Sequence, residues 1–111
     1  MPYLSKAFLF CLAWCVFAPS GWAVEPTPAR QTELRHLLKN DCGACHGLTL
    51  QGGMGPPLLP DTLKGKADAL LITSILQGRK GTAMPPWQTF INTEEAAWLL
   101  DVLRNGKHGA E

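Results

Sequence analysis

Two thiols and an imidazole lie within five consecutive residues, Cys42-Gly43-Ala44-Cys45-His46. Cysteines three apart sit on neighbouring positions of one turn and can meet the two vinyl groups of a single haem, forming thioethers. The next residue then lies under the iron, where an imidazole provides the proximal ligand. Three other readings compete. A redox-active dithiol uses the same C-x-x-C but sits in a βαβ setting, which this chain lacks. A structural zinc site needs a second pair of Cys or His ligands, and no second C-x-x-C exists. Chance is the bland alternative, disfavoured in a chain with no further cysteine beyond Cys15. The motif therefore reads as a covalent site for one haem c.

An iron used for electron transfer commonly takes a methionine thioether on its second axial side, which raises the reduction potential. Beyond residue 23 only Met54 and Met84 are available. Met54 follows His46 by eight residues and would have to cross to the other side of the ring almost at once. Met84 has 38 residues and a helix with which to cross, and Pro85-Pro86 stiffen its loop. Methionines in small domains are most often core filler, but the spacing favours Met84 as distal ligand and Met54 as loop packing. A proximal histidine also needs a partner that fixes its ring and tautomer. The stiff Gly52-Gly53-Met54-Gly55-Pro56-Pro57-Leu58 loop can offer His46 Nδ1 a backbone carbonyl; an ordinary surface turn has the same composition.

Helices position these groups. Thr27-Pro28 is a cap followed by a first-turn proline, and Ala29 to Asn40 places Leu34, Leu37 and Leu38 at helical spacing. Arg30, Glu33, Arg35 and Lys39 fall elsewhere on its surface, and the helix delivers the chain into Cys42. A second helix is expected from about Lys66 to Gln77, carrying Leu70, Leu71, Ile75 and Leu76, with Gly78 as its stop. The last starts at Thr93 as cap, with Glu94 and Glu95 in the first turn, where the helix dipole favours acids. It carries Ala97, Trp98, Leu100, Val102 and Leu103 and ends at Asn105-Gly106. No segment alternates like a strand. The expected fold is all-α, with three main helices around a flat cofactor. His36, on the exposed side of the first helix, and His108, in a polar tail, are not expected to reach the iron.

The first 23 residues have another purpose. One lysine, an apolar run from Ala7 to Ala18, the break at Pro19-Ser20-Gly21 and the small residues of Gly21-Trp22-Ala23 form a secretory signal, with cleavage expected before Val24. A bilayer span needs about 20 apolar residues, more than this run has, so no stable membrane insertion is expected after cleavage. Cys11 and Cys15 would leave with the peptide. The remaining 88 residues, 24–111, make one domain with nine basic and nine acidic side chains. That balance argues against nucleic acid as a partner. A chain this short has a thin core, which a haem at its centre would fill.

Cys42-Gly43-Ala44-Cys45-His46-Gly47, then Gly55-Pro56-Pro57-Leu58, then Met84-Pro85-Pro86, resemble the three signature segments of class I cytochromes c, in the right order. The resemblance covers essentially all of residues 24–111. It implies that Pro56 gives its carbonyl to the proximal histidine and that Met84 binds iron. It also implies packing of the first helix on the last, here through Leu34, Leu37 or Leu38 and Trp98 or Val102. The family often has an aromatic late in the last helix, where this chain has Val102 and an earlier Trp98.

A narrower likeness involves Asp41 to Leu48 with Gly52-Gly53, and Gly78 to Trp87. These resemble the NirC-type cytochromes, small periplasmic proteins encoded with the haem-containing nitrite reductase of denitrifying bacteria. The implied protein is a monomeric periplasmic carrier of single electrons. Its implied partners are redox proteins, namely nitrite reductase or the factors that assemble its special haem. No catalytic residue is required. The alternative is an enzyme or sensor whose open iron binds a small molecule such as nitric oxide or peroxide.

Overall fold

The computed structural model describes residues 24–109, so the expected signal segment lies outside the described part. The described chain is helical, with no strand. Helix α1 spans Pro28–Leu37; the Thr27 hydroxyl accepts from the backbone N–H of Arg30 at 3.3 Å and Pro28 occupies the first turn. The expected stop near Asn40 does not occur. The chain continues through a π-helical turn, Leu38–Cys42, in which the Gly43 N–H reaches back to the Leu38 carbonyl. It then runs into the single turn α2, Gly43–His46. A π turn widens the helix by one residue and is frequent at functional sites. Leu34 and Leu38 are buried and Cys42 packs against the core that they join.

The path stops at Gly47, whose φ of 91° and neighbours both require glycine: a Cβ there would lie 2.7 Å from the Gly52 carbonyl oxygen. A short helix α3, Pro60–Leu63, follows the first Gly- and Pro-rich loop. Four residues give no period to read, and the sequence pattern did not suggest it. Helix α4 spans Asp68–Gln77, two residues shorter at its start than expected, and ends at Gly78 with φ of 68°.

Helix α5 spans Thr93–Arg104. Its cap is Asn92 rather than Thr93. Asn92 Oδ1 accepts from the Glu95 N–H at 2.8 Å and Glu95 Oε2 accepts from the Asn92 N–H at 3.0 Å, a reciprocal capping box. The buried stripe of α5 is Ala96, Leu99, Leu100, Val102 and Leu103; Ala97 is exposed and Trp98 half-buried. Trp98 instead receives the Arg35 guanidinium of α1, 5.3 Å from its ring centroid. Leu34 and Leu38 of α1 share one core with this stripe, joined by Leu50, Leu63 and Ile91. His108 is not in an open tail: it lies half-buried in the 3-10 turn Lys107–Gly109, with Nδ1 buried and without a partner among the described residues. No helix among the described residues is long and apolar enough to cross a membrane.

Candidate functional site

One side of the α5 stripe faces a cavity of about 410 Å³ rather than more protein. That size lies within the roughly 300–1,000 Å³ typical of cofactor sites. Leu99, Leu100 and Leu103 of α5 line it, with Leu71 and Ile75 of α4, and all five sequence-predicted residues border it: Cys42, Cys45, His46, Pro56 and Met84.

The π turn and α2 present the first three. Cys42 and Cys45 are both free thiols, half-buried at the cavity wall. Burial, then the negative charge of Asp41, push the Cys42 thiol up to about 11. A dithiol oxidoreductase works through a thiol with a lowered pKa, so the surroundings of Cys42 oppose that reading.

His46 is 8% exposed. Its Nδ1 lies 2.7 Å from the Pro56 carbonyl oxygen. A carbonyl can only accept, so Nδ1 carries the proton and Nε2 keeps the lone pair that a metal needs. The loop that supplies this carbonyl is tied to the helix below it. Gly52 N–H donates to the His46 carbonyl and Gly55 N–H to the Cys45 carbonyl, both at 2.8 Å. Gly55 passes so close to the imidazole that a Cβ would lie 2.8 Å from Cε1. Ring, tautomer and loop are therefore mutually fixed.

Met84 is half-buried on the cavity wall, whereas Met54 reaches the rim but is 79% exposed. The Met84 loop is fastened to the end of α4: the Arg79 N–H donates to the Met84 carbonyl at 3.2 Å, and the Trp87 N–H to the Ile75 carbonyl at 3.0 Å. His36 is exposed, and neither His36 nor His108 borders the cavity.

The residues fit a haem on their own chemistry. Two thiols one turn apart, an imidazole with one nitrogen committed, a thioether and a largely apolar chamber match a planar, apolar, metal-bearing macrocycle. Pattern reading missed Leu50, buried 2% exposed despite a φ of 59° in a loop, and Arg104. Arg104 donates to the Leu63 and Lys66 carbonyls and to Asp68 at 2.6–3.0 Å, pinning the segment between α3 and α4 to α5. A lone arginine at a helix end gives no sequence signal for such a role.

Comparison with known proteins shows the family. Residues 29–109 match the family described as cytochrome c oxidase, cbb3-type, subunit III. Cytochrome c55X of Pseudomonas aeruginosa is 49% identical over 105 residues, 93% of this chain and 88% of that protein. The structure of the c-type cytochrome NirC superimposes with a TM-score of 0.73 at 48% identity, over 75% of this chain and 98% of that one. A part of the dihydro-haem d1 dehydrogenase NirN, in complex with DHE, is also similar. There the TM-score is 0.58 at 35% identity, over 62% of this chain and 15% of that one.

Proposed function

This chain belongs to the c-type cytochromes, with the class I fold and a covalently attached haem c, and we propose that it carries single electrons in the periplasm for the nitrite-reductase system of denitrification. Membership of the family supports electron carriage in general; kinship with NirC supports the denitrification setting. The signal-like first 23 residues support export, with the mature protein a soluble monomer from Val24.

The observation that carries the reading is the pairing, on one cavity, of an imidazole locked by its Nδ1 bond with a half-buried thioether. Cys42 and Cys45 would hold the haem through thioethers, His46 Nε2 would be the proximal ligand and Met84 the distal one. When bound, the haem supplies a ferric–ferrous couple. Pro56 holds the imidazole proton and so raises the basicity of the ligand nitrogen. The leucines of α5 and the α4 side chains exclude water, which keeps the reorganisation on electron transfer small. An enzymatic site would keep its sixth position free; a methionine held on the wall by a fastened loop favours the carrier.

A second reading concerns the destination of the electrons. The similarity to part of a protein named for dehydrogenating dihydro-haem d1 favours maturation of the reductase's haem over direct supply to the reductase. Stopped-flow mixing tests the proposal. The reduced holoprotein should be oxidised rapidly by purified nitrite reductase if it is the direct donor. The oxidised holoprotein should be reduced by the dehydrogenase acting on its substrate if it serves maturation. Slow exchange in both, with a high-spin ferric spectrum, overturns the carrier in favour of an open-site enzyme or sensor.

A further inference from the structure

Met84 is held by bonds within its own loop. The turn Arg79-Lys80-Gly81-Thr82 closes with the Thr82 N–H donating to the Arg79 carbonyl at 3.0 Å. Gly81 stands at its third position with φ of 80°, where a type II turn needs glycine. The Thr82 hydroxyl donates to the same Arg79 carbonyl at 2.7 Å and accepts from the Met84 N–H at 3.3 Å. A carbonyl can only accept, so the one hydroxyl hydrogen is spent on Arg79 and a lone pair serves Met84. Thr82, like Met84, borders the cavity.

Both polar groups of the Met84 backbone are thereby committed, the N–H to Thr82 and the carbonyl to the Arg79 N–H at 3.2 Å. Pro85, next in the chain, has no N–H and disfavours a helical Met84. Other hydroxyls behave differently. Those of Thr32 and Ser74 bond four residues back, to the Pro28 and Leu70 carbonyls, and tie only their own helices.

We propose that Thr82 is a positioning residue for the distal ligand: its hydroxyl joins the Arg79 turn to the Met84 N–H and so keeps the thioether at the cavity wall. Thr82 acts on the iron only through Met84, so this role rests on the reading of Met84 as distal ligand. Removing the hydroxyl removes two hydrogen bonds, each with a net effect of about fivefold on an equilibrium. The loop then spends more of its time with the methionine withdrawn, and an added ligand that takes the same position binds tighter in proportion.

The test compares the ferric holoprotein with Thr82→Val, Thr82→Ala and Thr82→Ser. The methionine-to-iron charge-transfer band and the affinity for imidazole are measured for each, and the pyridine haemochrome verifies covalent attachment. Thr32→Val makes the same exchange of atoms in α1, away from the cavity. Thr82→Val and Thr82→Ala should both weaken the band and raise imidazole affinity by about five- to thirtyfold. Thr82→Ser keeps the hydroxyl and should stay close to the parent, as should Thr32→Val. Met84→Ala, measured alongside, separates this role from the reading beneath it. If Met84→Ala retains the band, the ligand reading fails and the role of Thr82 with it. If Met84→Ala abolishes the band while Thr82→Val and Thr82→Ala bind imidazole as the parent does, the ligand stands and the role of Thr82 is overturned. The same holds if Thr82→Ser or Thr32→Val behaves like Thr82→Val.

Discussion

The two loops that close the cavity are written in nearly the same words: Gly52-Gly53-Met54-Gly55-Pro56-Pro57 on one side and Gly81-Thr82-Ala83-Met84-Pro85-Pro86 on the other. They do opposite things with them. In the first loop the backbone faces inward: the Pro56 carbonyl meets His46 while Met54 stands in solvent. In the second the side chain faces inward: Met84 lines the cavity while its carbonyl is used up on the Arg79 N–H. The difference follows from where each loop is anchored. The first springs from Gly47 and is laced back onto α2 by two N–H bonds, which press its main chain onto the imidazole. The second hangs between Gly78 and the Trp87 N–H, both at the end of α4, and this leaves its tip to turn a side chain in. Composition cannot separate two such loops; attachment points can.

The sharpest way to break the comparison is to remove each methionine. Met84→Ala is expected to convert a six-coordinate low-spin haem into one that binds water or added ligands. Its potential should fall markedly, on a scale where axial ligands span roughly 0.8 V. Met54→Ala is expected to change neither. Absorption spectra and redox titration of the two holoproteins decide it, and exchanged behaviour would reverse the roles of the loops.

Next in size is the glycine on which the distal loop rests. Gly78 has φ 68° and ψ −170°, a region essentially reserved for glycine, and a Cβ would lie 2.6 Å from the Met84 carbonyl oxygen. Gly78→Ala should cost about 1–3 kcal/mol in backbone strain and a further 1–3 kcal/mol or so in displaced backbone. Gly65 also has positive φ, 76°, but open space around it. Gly65→Ala should cost only the strain, about 1–2 kcal/mol. Thermal unfolding of both gives the difference, and equal losses would mean that contact with the Met84 segment contributes nothing.

The proximal loop has its counterpart at Gly55, which packs on the imidazole. Gly55→Ala should push the loop off the ring and weaken the bond between His46 Nδ1 and Pro56, at a cost of about 1–3 kcal/mol. Losing an acceptor makes the ligand nitrogen less basic and disfavours the ferric state. The potential should therefore rise, opposite in sign to Met84→Ala. Redox titration reads the sign directly, and a fall would place the first loop outside control of the iron.

How far these devices can be read in the sequence differs by type. Cys42, Cys45 and His46 were legible because thioether attachment dictates a fixed spacing. The bounds of α1 were not, since Lys39, Asn40 and Asp41 look like a helix end. The chain runs on through a π turn to His46 because the cysteines must be carried at the wall. Asn92 and Thr93 are both good caps, and the capping box distinguishes them only because Glu95 stands three residues after Asn92. In α5 the run Ala96 to Leu100 is apolar all round, so periodicity placed Ala97 inward and left out Leu99, the reverse of the burial found. Arg104 and Leu50 gave no local signal, because their roles exist only once distant segments have met.

The smallest effect concerns how the segment beyond the second loop is tied down. It ends at Phe90 to Asn92, where Arg30 Nη2 donates to the Phe90 carbonyl at 2.8 Å and Arg30 Nε to Glu95 Oε1 at 2.7 Å. Glu95, its side chain 14% exposed, also completes the α5 cap. The Arg30 hydrogen bond, with help from the Asn92 N–H, holds the Glu95 carboxyl below its ordinary 4.5. A depressed carboxylate gives stability that is present above the unfolded value and is lost as pH falls through the folded one. The ordinary protein should therefore lose an increment of stability as the pH is lowered below about 4.5. Glu95→Gln should start lower at pH 7, by about 1 kcal/mol if the cap bond dominates, and should lack that acid-dependent increment. The first loop is held by main-chain bonds and the Nδ1 contact, and none of the ion pairs among the described residues involves it. In denaturant unfolding the gap between parent and variant seen at pH 7 should narrow at pH 3.5. If the two curves stay apart by the same amount at both, Glu95 acts through shape alone, and the contrast between an ion-tied distal segment and a main-chain-tied proximal loop fails.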